Sequence, residues 1–201
     1  MLNFKMPRKP LSENDIESFR ISFCEAAYEL YKKKDYAAVT MRGIAKVLGG
    51  SPMMAYRYFE NKEEVFAALR ATLFDRLAQT LESVSNTLSP LDHLRNLSKA
   101  YAGFAHEEPH AYRLLYMTPI HPLRGYPDVA RAQQRTQDVL FDATRRAVES
   151  GDIQGDPVLL AHTLWASIHG LVSLDLSLQL NQGANFEVLF AAMLDHILKD
   201  E

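Results

Sequence analysis

The stretch TMRGIAKVLGGSPMMAYRYF, Thr40–Phe59, decides how the rest of the chain reads. Thr40 is a favoured N-cap type. Ile44, Ala45 and Leu48 recur at i, i+1 and i+4, which predicts a short helix over Met41–Leu48 that packs on its neighbours. Ala45 is small and permits close helix approach. Gly49 accepts a positive φ and ends the helix sharply. Ser51 then caps a further helix with Pro52 at its first position, where the missing N–H costs nothing, and this helix is expected to run to about Tyr58. Two short helices about a glycine turn are the outline of a helix-turn-helix.

Upstream, residues 12–34 open with Ser12, Glu13 and Asp15, acidic groups suited to the positive end of a helix. Ile16, Phe19, Phe23, Ala26, Ala27 and Leu30 mark one face, and Lys32-Lys33-Lys34 closes the segment. Downstream, Asn61 caps a long helix from Lys62 to about Val84 with Val65, Phe66, Leu69, Leu73, Leu77 and Leu81 as its stripe. Further helices read at about 91–107, 109–117, 127–150, 157–180 and 186–199, with Pro90, Pro109, Pro127 and Pro157 at or near four of the starts. Thr118–Tyr126 is the longest irregular loop. Neither period-2 alternation nor an Asn-Gly or Asp-Gly hairpin turn is present, so the expected fold is all-α, with about nine helices.

Across 201 residues, 47% apolar side chains exclude wholesale disorder. Cys24 is the sole cysteine, which excludes an intramolecular disulfide and a cysteine-based zinc site and fits a reducing, cytoplasmic setting. The net charge of −3 looks wrong for a nucleic-acid binder. The average misleads: residues 1–62 carry 11 Lys+Arg against 7 Asp+Glu, a net of +4, and residues 63–201 carry 11 against 18, a net of −7. A basic head on an acidic body suggests polyanion binding at one end. The start lacks the apolar core of a signal peptide. Pro157–Leu174 holds no Asp, Glu, Lys or Arg, yet His162, Thr163, Ser167, His169 and Ser173 favour a helix buried in protein over a membrane span.

Thr40–Gly49 (TMRGIAKVLG), Ser51–Phe59 (SPMMAYRYF) and Asn61–Val65 (NKEEV) together resemble the tetracycline-repressor (TetR) family over about residues 14–66. The resemblance implies a helix-turn-helix DNA-binding domain over residues 1–62, with a basic arm at 1–11, and a helical ligand-binding and dimerisation domain over 63–201. The helix from Ser51 would enter the major groove of a double-stranded operator with its N-terminal residues nearest the bases. Arg57 suits a guanine edge, Met53 and Met54 suit thymine methyls, and Tyr58 faces phosphates or base edges. The resemblance implies phosphate contacts from Tyr56, Lys62 and the Thr40 cap, and Arg42 reads as a further clamp. Bland alternatives stand beside these roles. Thr40 and Ser51 serve equally as helix caps, Met53, Met54 and Tyr58 as packing, and Lys62 as a solvated surface lysine. Lys5, Arg8 and Lys9 form either a minor-groove arm or a loose tail. Where the family usually has an apolar residue this chain has Gly50, which puts the geometry of the turn in question.

In the body, Trp165–Leu174 (WASIHGLVSL) and Tyr112–Tyr116 (YRLLY) resemble a Trp-His-Gly class of TetR-like ligand domains. His162, Trp165 and His169 share a helix face at i, i+3 and i+7. Gly170 in mid-helix suggests close approach of a backbone or a ligand. Tyr101, Phe104, Tyr112, Tyr116 and Phe141 supply aromatic wall for a pocket suited to a small hydrophobic or aromatic effector, or else these groups are core with a satisfied histidine. Helices 157–180 and 186–199 carry two broad apolar faces, which in the family pair with their copies in a homodimer, the alternative being that they only close the core.

His106 and His110 have the spacing of a helical metal pair, but Pro109 between them spoils it, and no metal or cofactor is expected. No nucleophile–base–orienter set or phosphate loop is present, so the chain does not read as an enzyme. A helical protein-interaction module without DNA binding is the remaining competitor.

Overall fold

The computed structural model describes residues 12–86, 89–118, 125–180, 183 and 185–199. The arm residues Lys5, Arg8 and Lys9 lie outside them, as does most of the 118–126 loop. Among the described residues there are nine helices and no strand: α1 (Glu13–Lys33), α2 (Met41–Val47), α3 (Pro52–Ala55), α4 (Lys62–Glu82), α5 (Pro90–Glu107), α6 (Pro109–Tyr116), α7 (Pro127–Glu149), α8 (Pro157–Leu176) and α9 (Phe186–Ile197). The chain is all-α and divides into two compact units, Met1–Leu69 and Arg70–Glu201.

In the first unit, α1 starts in a reciprocal capping box. Ser12 Oγ accepts from the Asp15 N–H, and the Asp15 carboxylate accepts from the Ser12 N–H at 3.0 Å. α1 packs on α2, and α2 on α3. Phe23, Ala27, Ile44, Ala45, Ala55, Phe59, Val65 and Phe66 form the core. Two expected packing residues do not join it. Ile16 sits in the first turn of α1, and Leu48 lies just past the last turn of α2; both are more than a third exposed, at 38% and 37%. Cys24 is largely buried and donates to the Val65 carbonyl at 3.7 Å, and burial pushes its thiol up to about 12. It behaves as a small apolar side chain.

In the second unit, α7 packs against α5 and α8, α8 against α9, and α5 against α6 and α8. The break foreseen at Pro109 is present: Glu108 closes α5 and also stands before α6. Arg70, 8% exposed, donates from Nη2 to the Leu115 carbonyl at 2.8 Å, placing a cation at the carbonyl end of α6. α8 is long and apolar enough to cross a membrane, with mean hydropathy 1.3, and packs against α5, α7 and α9; only Ala161, Leu164, Ile168 and Val172 of it are buried, so it is not the helix buried in protein that the sequence suggested. It ends earlier than its apolar run, because Ser177 and Leu178 leave the helix in a left-handed cap. Gly170 meets no close approach, since a Cβ built there finds nothing within 4 Å.

Candidate nucleic-acid interface and effector slot

The head presents its candidates on and around one helical turn. Thr40 Oγ1 accepts from the Gly43 N–H at 3.1 Å, and Ser51 Oγ from the Met54 N–H at 3.3 Å, so both cap helices. α3 is a single turn, shorter than the expected 51–58, because bonds from Arg57 N to the Met54 carbonyl and from Tyr58 N to the Ala55 carbonyl tighten the backbone beyond it. Tyr58 is drawn inward: its ring lies 4.1 Å from that of Phe19, and its carbonyl accepts from Arg20. Met53 at 80% and Tyr56 at 59% stand exposed on the turn, with Arg57 exposed beside them. Met54 is half-buried. Its terminal methyl occupies the space a Cβ on Gly50 would need, so the missing side chain at Gly50 is filled from the following turn.

Arg42 is exposed on α2. Lys62 is half-buried, its ammonium 4.0 Å above the Tyr36 ring and donating to the Tyr36 carbonyl at 3.0 Å. That seat orients the cation and leaves two of its three N–H donors for another acceptor. Neither Tyr36 nor the Arg20–Glu64 pair, 3.1 Å apart beneath the turn, was signalled by residue type. Only contacts across 26 and 44 positions reveal them.

In the body, side chains of α4, α5, α6, α7 and α8 line a narrow, mostly apolar slot. Of the expected wall, Tyr101, Tyr116, Phe141 and Trp165 line it. Phe104 is 4% exposed and packs elsewhere in the core. His162 is exposed, donating from Nδ1 to the Val158 carbonyl at 2.8 Å and meeting Phe141 edge-on at 4.8 Å. Tyr112 is wholly buried behind the wall, its hydroxyl 2.5 Å from Nδ1 of His169. Burial drives both toward their neutral forms, raising the phenol and lowering the imidazole. His169 also stands edge-on to Tyr116, at 5.4 Å. It therefore holds up the aromatic wall from behind.

The slot's polar groups are few. Trp165 Nε1 donates to the Tyr101 hydroxyl at 3.2 Å, Ser98 donates to the Leu94 carbonyl, and Thr136 donates to the Phe74 carbonyl. Gln137 makes no side-chain hydrogen bond among the described residues. Sequence reading missed Leu81, Leu97, Ser98, Thr136, Gln137, Val139, Leu140 and Ile168 as lining. The available signal was Ser98 and Thr136 at apolar-stripe positions of amphipathic helices.

The folded head and the helical body define a helix-turn-helix regulator. Residues 23–69 match the model of bacterial regulatory proteins of the tetR family, and residues 94–197 match the tetracyclin repressor-like C-terminal domain. The chain belongs to the TetR family of DNA-binding transcriptional regulators. It is 28% identical over 124 residues to the HTH-type transcriptional regulator Rv1816 of Mycobacterium tuberculosis, a match covering 59% of this chain and 52% of that protein. It thus spans about half the length of that relative. It is 26% identical over 163 residues to the HTH-type transcriptional repressor KstR2 of the same organism, covering 76% of this chain and 81% of KstR2. A TetR family transcription regulator from Marinobacter aquaeolei VT8 superposes with a TM-score of 0.66 at 26% identity, covering 92% of this chain and 97% of that one.

Proposed function

We propose that this chain is a cytoplasmic, homodimeric repressor that binds a palindromic operator and is released by a small hydrophobic or aromatic effector. DNA reading belongs to residues 1–62, and effector binding and dimerisation to residues 63–201. The observation that carries the reading is the exposed cluster of Met53, Tyr56 and Arg57 on a turn capped by Ser51. Apolar and cationic side chains otherwise have little reason to be displayed together in so short a segment. Arg42, Lys62 and the Thr40 cap serve the phosphates, Met54 reads bases from its seat over Gly50, and Tyr58 contributes through its edge. KstR2, which is described as a repressor, lends the sign of regulation.

Dimerisation is supported by the faces of α8 and α9, where Leu159 (69%), Val188 (62%) and Val158 (52%) stand exposed. The open flank of Gly170 on α8 leaves room for a partner's helix. An isologous pairing of these helices would bring two heads to half-sites about one helical turn apart. The slot is the effector site, with Tyr101, Tyr116, Phe141 and Trp165 as its wall. Tyr112 and His169 position that wall from behind, and His162 stands edge-on to Phe141 outside it.

Selection of bound duplexes from a random pool tests the reading. An enriched inverted repeat is expected, with affinity falling by about 10³–10⁵ between 50 and 200 mM salt if 6–10 phosphates are contacted. Arg57→Ala should relax the preference at one position of each half-site. Absence of any enriched sequence, or unchanged binding by Arg57→Ala with Lys62→Ala, would point instead to a protein-interaction module.

A further inference from the structure

α3 cannot hold its own orientation. It is one turn, Pro52–Ala55, and a single turn fixes more backbone than its few hydrogen bonds repay. Met53, Tyr56 and Arg57 stand exposed along it and just beyond, so burial of their own side chains does not fix where they point. Their direction is imposed from elsewhere in the head.

The device that imposes it lies where the turn ends. Arg20 of α1 donates from Nη1 to the Tyr58 carbonyl and from Nη2 to Glu64 Oε1 of α4, the latter at 3.1 Å. Glu64 Oε2 accepts from the Glu60 N–H at 2.6 Å. One ion pair therefore grips the chain twice, at the Tyr58 carbonyl and at the Glu60 N–H, directly after Arg57. The grip is itself anchored. The Arg20 guanidinium lies 4.1 Å from the centre of the Phe59 ring, which is 2% exposed and stacked on Phe23 of α1. The Glu64 N–H donates to Asn61 Oδ1 at 2.8 Å, which seats Glu64 in the first turn of α4. Every bond of the grip has a charged partner, the stronger kind of hydrogen bond, and the planar fork of Arg20 aims two donors at two acceptors.

We propose that Arg20 and Glu64 are positioning residues for DNA reading: the pair fixes the turn that carries Met53, Tyr56 and Arg57, and through it the base preference, without contacting DNA. This rests on the head reading DNA and adds what holds it in reading posture. Without the pair, operator binding bears the cost of ordering the segment, whereas non-specific attraction to phosphates does not. Glu64 gives the sharper sign. It lies two residues from Lys62, so a carboxylate there repels the phosphates, and neutralising it should tighten binding if charge alone mattered. Positioning requires the opposite.

Fluorescence anisotropy tests it, with the full chain titrated into its selected operator and into a scrambled duplex at several salt concentrations. The ratio of the two affinities measures specificity. In Arg20→Gln and in Glu64→Gln it should fall about tenfold, the discrimination of one base contact, with the salt dependence unchanged. The double variant should fall no further, because both residues act through one grip. Arg20→Lys, which keeps the charge but not the fork, should fall between. Circular dichroism establishes that each variant is folded at the assay temperature; if Arg20→Gln is not, Arg20→Lys and Glu64→Gln carry the test. An unchanged ratio in folded variants, or tighter operator binding by Glu64→Gln, overturns the proposal and leaves DNA reading by the head in place. A salt slope lower by about one in Arg20→Gln makes Arg20 a phosphate contact and overturns it as well. A wild type that prefers no duplex overturns DNA reading itself, and the proposal with it.

Discussion

Gly50 and Met54 show how one missing side chain reshapes its surroundings. The methyl group of Met54 takes the volume that a Cβ at Gly50 would fill, and it is the end of a flexible chain, able to move. Gly50→Ala should therefore cost under about 1 kcal/mol of stability, yet push Met54 toward the DNA side. The melting temperature should barely change while the operator preference shifts; a large loss of melting temperature with unchanged preference would refute the coupling. His169 offers a second test. Its folded pKa lies below the ordinary value of 6.5, so the unfolded chain takes up its proton first as pH falls. The stability it contributes is intact above about pH 6.5 and declines below, through the window down to the folded pKa. His169→Gln should flatten the fall in melting temperature between pH 7 and pH 5. Residue type alone named Trp165 and Tyr101 as wall, because large aromatics at helical spacing converge. It could not separate Tyr112 and His169, which stand behind the wall, from groups on it. That distinction depends on depth within the bundle, which spacing along one helix does not encode.

At the scale of the helix, the caps were the most legible features. Ser12, Thr40, Ser51 and the four proline starts act locally, so their neighbours in sequence suffice to place them. Helix ends set by tertiary contacts were less so: α3 stops at Ala55 where Tyr58 is drawn onto Phe19. α2 and α8 end in the same hydrogen-bond pattern. Gly50 N bonds to the Ala45 carbonyl and Gly49 N to that of Lys46; Gln179 N bonds to the Leu174 carbonyl and Leu178 N to that of Asp175. The left-handed position holds Gly49 at φ 67° in one case and Leu178 at φ 55° in the other. A Cβ there carries a steric cost of about 1–2 kcal/mol, and Leu178 is 91% exposed, so it recovers little by packing within the chain. Leu178→Gly should stabilise the protein by about 1 kcal/mol and raise its melting temperature by about 2–4 °C, as read by calorimetry. A decrease would mean that the leucine is covered in the assembled protein.

Across the whole molecule, the net charge of −3 was the least informative number and its distribution the most. The +4 over residues 1–62 falls on the helix-turn-helix and the −7 over 63–201 on the helical body. The two compact units follow from separate cores, and the helical stripes announced those cores without saying where an unfilled slot would be left. Such a slot is a property of how α5, α7 and α8 fail to close on one another, not of any one of them. The central claim is that a ligand in this slot governs a DNA-reading head. Its most direct test tracks the fluorescence anisotropy of a selected operator duplex, bound to wild type or to Leu140→Trp, as small hydrophobic and aromatic ligands are added. Wild type should lose operator affinity by about 5–150-fold, the span of ordinary allosteric coupling, while the filled slot of the variant keeps the complex intact. Equal release from both proteins, or slot-binding ligands that leave operator affinity unchanged, would contradict the account.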